Sequence, residues 1–396
     1  MNIDIFPSQD DLKIRLNRIQ QSLIKAGGDA ALISTGVNIY YLTGTVFFGY
    51  IYLPAEGEPL WLVQRSSDLK EERIINIRKP EEIPAILKER NIPLPDNLFL
   101  EIDQITHNEF LRLEAVFHPA RTGNMTALLR KVRMIKTPWE IEQFRFSAAK
   151  HAEVYRAIPS LFRKGMTEIA FQIEIERIMR KAGSIGIFRT FGSNMNIFMG
   201  SLLSGQNAET PSPFDFALGG KGIHPSIPIG ASNDLIFEGS AIMVDFAGNF
   251  TAYMTDMTRV YSLGKLPEIA YRAHRVSIEM HQRLMEEAKQ GTACSDIYNQ
   301  TLETAEKSGL AANFMGWSLQ AKFVGHAVGL EINEPPVLMG RSDDLLQPGM
   351  VFAFEPKFVL PGIGAVGIEN TYLVTDSGIE KLTVLEEDII DLDANG

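Results

Sequence analysis

The chain has 396 residues, 45% of them hydrophobic and 22% charged, which is the composition of an ordinary globular protein with room for two or three domains. Its net charge of −11, without a basic block, argues against nucleic acids and anionic membranes as partners. The single cysteine excludes an internal disulfide. Because the N-terminal residues lack the features of a signal peptide and no apolar run is long enough to span a membrane, we expect a cytoplasmic protein.

The first third of the chain alternates predicted helices and strands. Ser8 and Asp11 mark a helix start, and the apolar stripe that follows them ends at Gly27-Gly28. Strands are predicted over residues 29–34, 40–44 and 60–63, and helices over residues 84–90 and 126–133. His107 and His118 have no acidic or histidine partners nearby in the sequence, so we interpret them as surface or packing residues. This part of the chain is predicted to be an α/β domain.

A domain boundary is predicted at Thr137, which can cap a helix that begins at Pro138 and continues to about residue 158. The two domains would then span residues 1–137 and 138–396. Further helices are predicted after Gly165 up to Gly183, and over residues 267–290 and 295–307. Residues 185–240 are rich in Gly, Ser, Asn and Pro, which is typical of loops that line a site. From Phe323 onward, short strands alternate with turns.

Two aspartates are predicted to meet on paired strands. Asp245 interrupts an apolar run, Gly248-Asn249 can turn the chain, and Asp256 lies on the return strand. Residues eleven positions apart on one straight strand would point to opposite faces, so the turn is needed to bring the two acids together. Burying a lone carboxylate is costly unless it is paired or holds a metal. Such a pair could ligate a divalent ion.

Three more polar residues occupy apolar strand contexts in the final third. His326 lies in a glycine-flanked apolar segment, Glu355 ends one apolar strand, and Glu369 follows another. Acids are almost never fully buried unless they are paired or bound to a metal. Four carboxylates and one imidazole, without sulfur, suit Mn²⁺, Co²⁺, Fe²⁺ or Zn²⁺, and the sequence does not choose among these ions.

The five residues follow one another as Asp, Asp, His, Glu and Glu, with spacings of 11, 70, 29 and 14. The matching stretches are Asp245-Phe-Ala-Gly248, Thr255-Asp256-Met-Thr-Arg259, Gly325-His326-Ala-Val-Gly-Leu-Glu-Ile-Asn-Glu-Pro-Pro336, Phe354-Glu355-Pro356 and Gly367-Ile-Glu369-Asn-Thr371. This pattern resembles the pita-bread metallopeptidases, which include methionine aminopeptidase, Xaa-Pro aminopeptidase and prolidase. Tyr41-Leu-Thr-Gly44 and Ile135-Lys136-Thr-Pro-Trp-Glu140 resemble the creatinase/prolidase N-terminal domain. The resemblance implies an α/β N-terminal domain followed by an α+β pita-bread (creatinase/aminopeptidase) domain.

The resemblance also implies a function and a metal centre. Asp256 and Glu369 would bridge two divalent ions, with Asp245 completing one shell and His326 and Glu355 the other. A hydroxide shared by the ions would attack a Xaa-Pro peptide bond, with Glu355 as the general base. The N-terminal domain would contribute to a homodimer and to substrate gating, and the substrate would be a peptide or another small molecule.

The residues around this centre depart from the family pattern. Asn333 stands where the peptidases carry a second histidine, and Gly367 stands where proline-directed members often have an arginine. A further family histidine is absent from its usual place, and the nearest one, His224, lies 21 residues before Asp245. Asn333 can donate a hydrogen bond to an oxyanion but cannot carry a proton, and His224 is a candidate substrate contact.

These departures leave other functions open. The same fold hosts a dimethylsulfoniopropionate lyase and the metal-free creatinase, so a metal-dependent lyase or hydrolase of a small non-peptide substrate is the main alternative. A binding protein on the same scaffold is disfavoured, since all five ligand positions are retained. Gly362-Ile-Gly-Ala-Val-Gly367 matches a dinucleotide fingerprint literally, but a strand rather than a helix is expected after it. His274 and His281, seven residues apart on a predicted helix, are expected to pack rather than to bind a ligand.

Overall fold

The computed structural model describes residues 3–65, 73–187, 189–192, 199–214 and 216–394. The chain forms two compact units, Asp4–Arg133 and a larger one that begins at Met134. No helix within these described ranges is long and apolar enough to cross a membrane.

The first unit is an α/β domain, as predicted. Its helices are α1 (Gln9–Lys25), α2 (Gly36–Thr43), α3 (Ile83–Glu89), α4 (His107–Val116) and α5 (Thr126–Arg133). Its strands are β1 (Ala30–Ile33), β2 (Phe48–Pro54), β3 (Leu60–Arg65), β4 (Ile74–Asn76), β5 (Asn97–Leu100) and β6 (Arg121–Asn124). The strands form one mixed sheet in the order β4-β3-β2-β1-β5-β6, and its core includes Leu32, Leu62 and Leu98.

Helix α1 begins and ends where the sequence predicted. The Ser8 side chain accepts a hydrogen bond from the Asp11 N–H at 3.1 Å, which satisfies one of the free amides of the first turn. The strand predicted at residues 40–44 is wrong, because those residues complete helix α2. Aromatic residues favour strands on average, but here Gly44 takes a left-handed φ of 73° and its N–H binds the Tyr40 carbonyl, which ends a helix.

The second unit combines four helices with eleven strands over the described residues. The helices are α6 (Pro138–Ala157), α7 (Glu168–Lys181), α8 (Glu268–Glu287) and α9 (Cys294–Lys307). The strands are β7 (Gly200–Ser204), β8 (Ala241–Gly248), β9 (Thr255–Ser262), β10 (Phe323–Ala327), β11 (Glu334–Met339), β12 (Val351–Phe354), β13 (Lys357–Leu360), β14 (Gly364–Gly367), β15 (Asn370–Thr375), β16 (Gly378–Lys381) and β17 (Ile390–Asp391). The sequence predicts all four helices. Within the predicted loop region 185–240, residues 188, 193–198 and 215 lie outside the described residues.

Helix α6 starts with a complete capping box. The Thr137 hydroxyl accepts from the Glu140 N–H, and the Glu140 carboxylate accepts from the Thr137 N–H at 2.8 Å. Further along the helix, the Tyr155 hydroxyl donates to the Met257 carbonyl at 2.7 Å. Helix α6 is thereby fixed against the strand that carries Asp256.

The described strands of the second unit form three sheets. Their strand orders are β17-β9-β8-β7, β11-β10-β12-β15-β16 and β13-β14. In the β8–β9 pair, Asp245 lies opposite Thr258 and Asp256 lies opposite Ala247. Because side chains alternate along a strand, this register puts the two aspartates on the same face of the sheet, two positions apart.

Candidate metal centre

The five predicted ligands lie close together, although they belong to five different strands or to the residues next to them. Asp245 lies in β8, Asp256 in β9 and His326 in β10. Glu355 directly follows β12, and Glu369 directly precedes β15. Strands β10, β12 and β15 are neighbours in one sheet, so their register aligns the imidazole and both glutamates beside the aspartate pair.

The described residues contain two groups of potential metal ligands, each with its ligand atoms within 4.8 Å of one another. One group is Asp256, His326 and Glu369, and the other is Asp245, Glu355 and Glu369. The imidazole Nε2 of His326 lies 3.6 Å from Glu355 Oε1 and 3.9 Å from Asp256 Oδ2. All five predicted residues therefore come together, and Glu369 belongs to both groups, as a bridging ligand would.

The sequence analysis missed Lys357, which lies in the centre of this cluster. Its ammonium Nζ is 2.7 Å from Asp245 Oδ2, 2.9 Å from Glu355 Oε2 and 3.1 Å from Glu369 Oε2. The side chain is fully buried. The available signal was a lysine directly after Glu355-Pro356 at the start of an apolar strand, where a charge needs a buried partner.

The electrostatics show that the cluster holds more negative charge than Lys357 neutralises. Burial raises the pKa of Asp245 to about 6, against the attraction of Lys357 and together with repulsion from Glu369. Burial also holds the pKa of Asp256 well above its usual value, with repulsion from Glu369 and Asp245 adding to the effect. For Lys357, burial alone would lower the pKa, but the neighbouring carboxylates outweigh it and hold that pKa well above its usual value.

These features fit a divalent cation at Asp256, His326 and Glu369. Carboxylate and imidazole donors at this spacing are those that Mn²⁺, Co²⁺, Fe²⁺ and Zn²⁺ use in proteins. The excess negative charge around Asp256 is what such an ion would neutralise.

The ligand backbones are held in place by a second layer of hydrogen bonds. The Thr258 hydroxyl donates to Glu369 Oε2 at 2.7 Å, and the Arg259 guanidinium donates to the Glu369 carbonyl at 2.9 Å. The Thr371 hydroxyl both accepts from the Asp256 N–H and donates to the Asp256 carbonyl, each at 2.8 Å. Such support fixes ligand orientation before an ion binds.

The five candidate ligands line a cavity of about 100 Å³. Its remaining wall is mostly apolar and is formed by Gly200, Ser201, Phe216, Ala217, Leu218, Ile229, Met243, Ala247, Phe323, Ile332 and Asn333. A second cavity of about 420 Å³ shares Phe216, Ala217, Leu218 and Phe323 with the first. The cavity is thus lined both by the acidic cluster and by apolar side chains.

Asn333 lines the cavity, but its amide is engaged with the backbone of Phe191. The side-chain oxygen accepts from the Phe191 N–H at 2.7 Å, and the side-chain nitrogen donates to the Phe191 carbonyl at 2.9 Å. The neighbouring Ile332 N–H donates to the Arg189 carbonyl at 2.8 Å. Asn333 therefore ties the segment 189–192 to the cavity wall.

His224 is exposed, and its ring Nδ1 pairs with the Ser226 hydroxyl at 2.7 Å and accepts from the Ser226 N–H. His224 is not one of the described residues that line the two cavities. Its role as a substrate contact stays a prediction without support from this position.

Gly367 has a structural reason to be glycine. Its φ is 126°, and a Cβ at this position would come within 2.5 Å of the Pro356 carbonyl oxygen and 2.9 Å of the Lys357 Cα. The close approach of β14 to β13 therefore excludes any larger side chain, including an arginine.

The remaining histidines on α8 pack as expected. His281 is buried, with its ring nitrogens at hydrogen-bond distance from the Tyr372 hydroxyl and the Ile368 carbonyl. His274 is buried against the Glu387 carbonyl. The glycine-rich stretch that ends at Gly367 forms the β13–β14 hairpin, and no helix follows it in this part of the described chain.

Comparison with known proteins agrees with this architecture. Residues 142–376 match the profile of metallopeptidase family M24, and residues 15–135 match that of the creatinase/prolidase N-terminal domain. The Xaa-Pro dipeptidase of Pyrococcus furiosus is 24% identical over 386 residues, which cover 96% of this chain and 100% of that protein.

Solved structures show the same fold. A Xaa-Pro dipeptidase from Bacillus anthracis superposes with a TM-score of 0.78 at 23% identity, covering 96% of this chain and 99% of the other. An X-Pro aminopeptidase from Thermotoga maritima gives a TM-score of 0.76 at 22% identity, with coverage of 94% and 99%. The predicted α/β N-terminal domain and pita-bread domain are confirmed.

Proposed function

Because the chain belongs to metallopeptidase family M24, with a creatinase/prolidase N-terminal domain, we propose that it is a metal-dependent peptidase that hydrolyses Xaa-Pro peptide bonds. The observation that carries this proposal is the convergence of four carboxylates and His326 in the lining of a partly apolar cavity. The names of the relatives, Xaa-Pro dipeptidase and X-Pro aminopeptidase, support the choice of bond.

Each residue has a proposed role. Asp256, His326 and Glu369 would hold a divalent ion, with Mn²⁺ the first to test because oxygen-rich sites suit it. The bound ion would supply a water of lowered pKa and positive charge opposite the developing oxyanion. The binding of two ions bridged by Asp256 and Glu369 remains a prediction from the family resemblance, and Lys357 is the observation that weighs against it.

Glu355 is the proposed general base. Its Oε2 accepts a hydrogen bond from Lys357, and its Oε1 faces the imidazole of His326. The hydrogen bond from the ammonium orients Glu355, so that its other oxygen, Oε1, can accept the proton of the attacking water and return it to the leaving nitrogen. In this proposal, Glu355 transfers the proton from the attacking water to the leaving nitrogen.

The apolar wall gives a reason for a proline-containing substrate. Phe216, Phe323, Met243 and Ile332 face the same cavity as the ligands, and a pyrrolidine ring is a compact apolar group. Asn333 acts here by holding segment 189–192 against that wall, since both ends of its amide bind Phe191.

The activity can be tested with purified protein supplied with Mn²⁺ and matched peptides. We expect cleavage of Xaa-Pro dipeptides or of longer peptides that begin with Xaa-Pro, and none of the same sequences with alanine in place of proline. Glu355→Gln should slow turnover by about 10²–10⁴-fold, because it removes the proton acceptor. Equal cleavage of the alanine peptides, or an active Glu355→Gln variant, would contradict the proposal.

A small non-peptide substrate is the second candidate. Asn333 stands where the resemblance implies a histidine, and the cavity that the candidate ligands line is about 100 Å³ in volume. A panel of small carboxylates and amides under the same metal conditions distinguishes the two functions. Turnover of a member of this panel, with all Xaa-Pro peptides left intact, would favour the metal-dependent lyase or hydrolase.

The assembly and location remain part of this proposal. We propose that the chain forms a homodimer through its N-terminal domain, with residues 138–396 as the catalytic domain, and that it acts in the cytoplasm. The single cysteine, Cys294, is buried, which is compatible with a reducing compartment. Light scattering that gives a monomer mass at micromolar concentration would remove the dimer from the proposal.

A further inference from the structure

Lys357 is held rigidly at the metal centre. Its N–H lies 3.4 Å from Met315 Sδ, its carbonyl accepts from the Met315 N–H at 2.8 Å, and strand pairing sets it opposite Gly367. The glycine lets the two backbones approach closely, since a Cβ on Gly367 would lie only 2.9 Å from the Lys357 Cα. These contacts fix the backbone of Lys357, and its ammonium is positioned by the three carboxylates that it binds.

The three carboxylates that bind Lys357 are the same three that form one of the two candidate ion groups. Asp245, Glu355 and Glu369 each turn one oxygen toward Nζ, at 2.7 to 3.1 Å. These distances are those of charge-assisted hydrogen bonds to an ammonium. A metal ion would need these oxygens at about 2.0–2.2 Å around the same point, which the nitrogen already fills.

The charges lead to the same conclusion. With every carboxylate ionised, as metal binding requires, four carboxylates and one ammonium have a formal charge of −3, and one divalent ion reduces this excess to a single negative charge. A second ion beside the ammonium would make the buried centre positive and would place like charges together at short range. The second group, Asp256, His326 and Glu369, keeps a complete set of donors for one ion.

We propose that the ammonium of Lys357 replaces one of two divalent ions, so that this chain binds a single ion at Asp256, His326 and Glu369. Asp245 then acts as a partner of Lys357 and not as a metal ligand. The inference rests on the metal site of the proposed function but not on its peptide substrate, and ion counting is read separately from peptide cleavage.

Elemental analysis of the metal-loaded, desalted full chain tests the proposal directly. We expect one ion per chain in the wild type and two in Lys357→Ala, which frees the three carboxylates. Asp245→Asn should leave the count at one, whereas Asp245→Asn combined with Lys357→Ala should return the count from two to one. Lys136→Met is the matched control, because it removes another buried lysine, paired with Glu334 at 3.6 Å, and should leave one ion.

Electron paramagnetic resonance of the Mn²⁺-loaded wild type gives a test that needs no variant. An isolated ion gives a six-line spectrum, while two neighbouring ions couple and give a more complex one. Two ions per chain or a coupled spectrum in the wild type would overturn the proposal, as would no bound ion at all. A folded Lys357→Ala variant that still holds one ion would also overturn it. If Lys357→Ala does not fold, the wild-type count, the spectrum and Asp245→Asn decide the question.

Discussion

The second unit contains two buried acidic regions, one at Glu168 and one at the candidate metal centre, whose carboxylates are stabilised in different ways. Glu168 is fully buried, and its carboxylate accepts five hydrogen bonds, from the N–H and hydroxyl groups of Ser204 and Ser232 and from the Asn207 amide. Neutral donors thus satisfy a single charge completely. At the candidate metal centre, three of the four carboxylates bind one ammonium, and the pKa of the fourth, Asp256, is held well above its usual value because burial and its acidic neighbours disfavour the charged form.

The difference shows what distinguishes a structural acid from a functional one. Glu101 in the first unit repeats the pattern of Glu168, since the backbone and side chains of Ser34, Thr35 and Asn38 surround it with donors. A lone buried carboxylate can be stabilised by dipoles alone, whereas a cluster of them needs cations. The number of converging acids, rather than the burial of any one, marks the site.

The largest expected effect is the response to metal removal. With free ion at about 1,000 times its dissociation constant, binding should add about 4 kcal/mol to the free energy of unfolding, and chelation should remove it. The reason is that the ion neutralises the excess charge around Asp256 in the folded state only. Thermal melts with Mn²⁺ and with excess chelator measure the change. An equal melting temperature in both conditions would show that the acid cluster is stable without a cation.

Replacing Glu168 is expected to have the next largest effect. Glu168→Gln puts an NH₂ group against donors and removes their charged acceptor, so we expect a loss of about 3 kcal/mol in the free energy of unfolding, with or without metal. Urea denaturation of the metal-free and metal-loaded proteins measures it. Glu142→Gln, at an exposed position on helix α6, is the control and should change stability by less than about 0.5 kcal/mol.

Much of this comparison could be anticipated from the sequence. The sequence predicts that Asp245, Asp256, His326, Glu355 and Glu369 come together, because each lies in or beside a predicted strand and their order and spacing resemble a known pattern. Lys357 was missed because the alternation of polar and apolar residues along a strand does not reveal which side chains of another sheet lie beside it. Its partner Asp245 belongs to such a sheet. The sequence also does not distinguish Glu168 and Glu101 from site residues, because the groups that donate hydrogen bonds to them lie in distant parts of the chain.

The other failures have local causes. The segment at residues 40–44 is rich in aromatic residues, and the helix-ending geometry of Gly44 outweighed their preference for strands. The sequence favours Asn333 as an oxyanion donor, because it does not reveal that segment 189–192 comes within hydrogen-bond distance of this residue. That role stays a prediction, and the observed contacts favour a positioning role instead.

Asn333→Ala separates these two roles and is expected to have an intermediate effect. Loss of two hydrogen bonds to Phe191, each contributing about 1 kcal/mol, should release segment 189–192 from the cavity wall and raise KM about 30-fold, with kcat changed much less. Steady-state kinetics on a Xaa-Pro peptide measures the split. If turnover instead slows by about 10²-fold or more at constant KM, the result would support direct contact with the oxyanion.

The smallest expected effect is an increase in the free energy of unfolding, caused by Asp256→Asn. It tests the contrast between the two acidic regions most directly. In the metal-free protein, Asp256→Asn removes a carboxyl group whose charged form is disfavoured by burial and by its acidic neighbours, while keeping the side-chain shape. We therefore expect this variant to be about 1 kcal/mol more stable than the metal-free wild type, the reverse of the effect at Glu168. Added Mn²⁺ should raise the melting temperature of the wild type but not that of the variant, because a ligand has been lost. If Asp256→Asn instead destabilises the metal-free protein as much as Glu168→Gln does, Asp256 is held by donors in the same way as a structural acid, and the proposed distinction between the two regions fails.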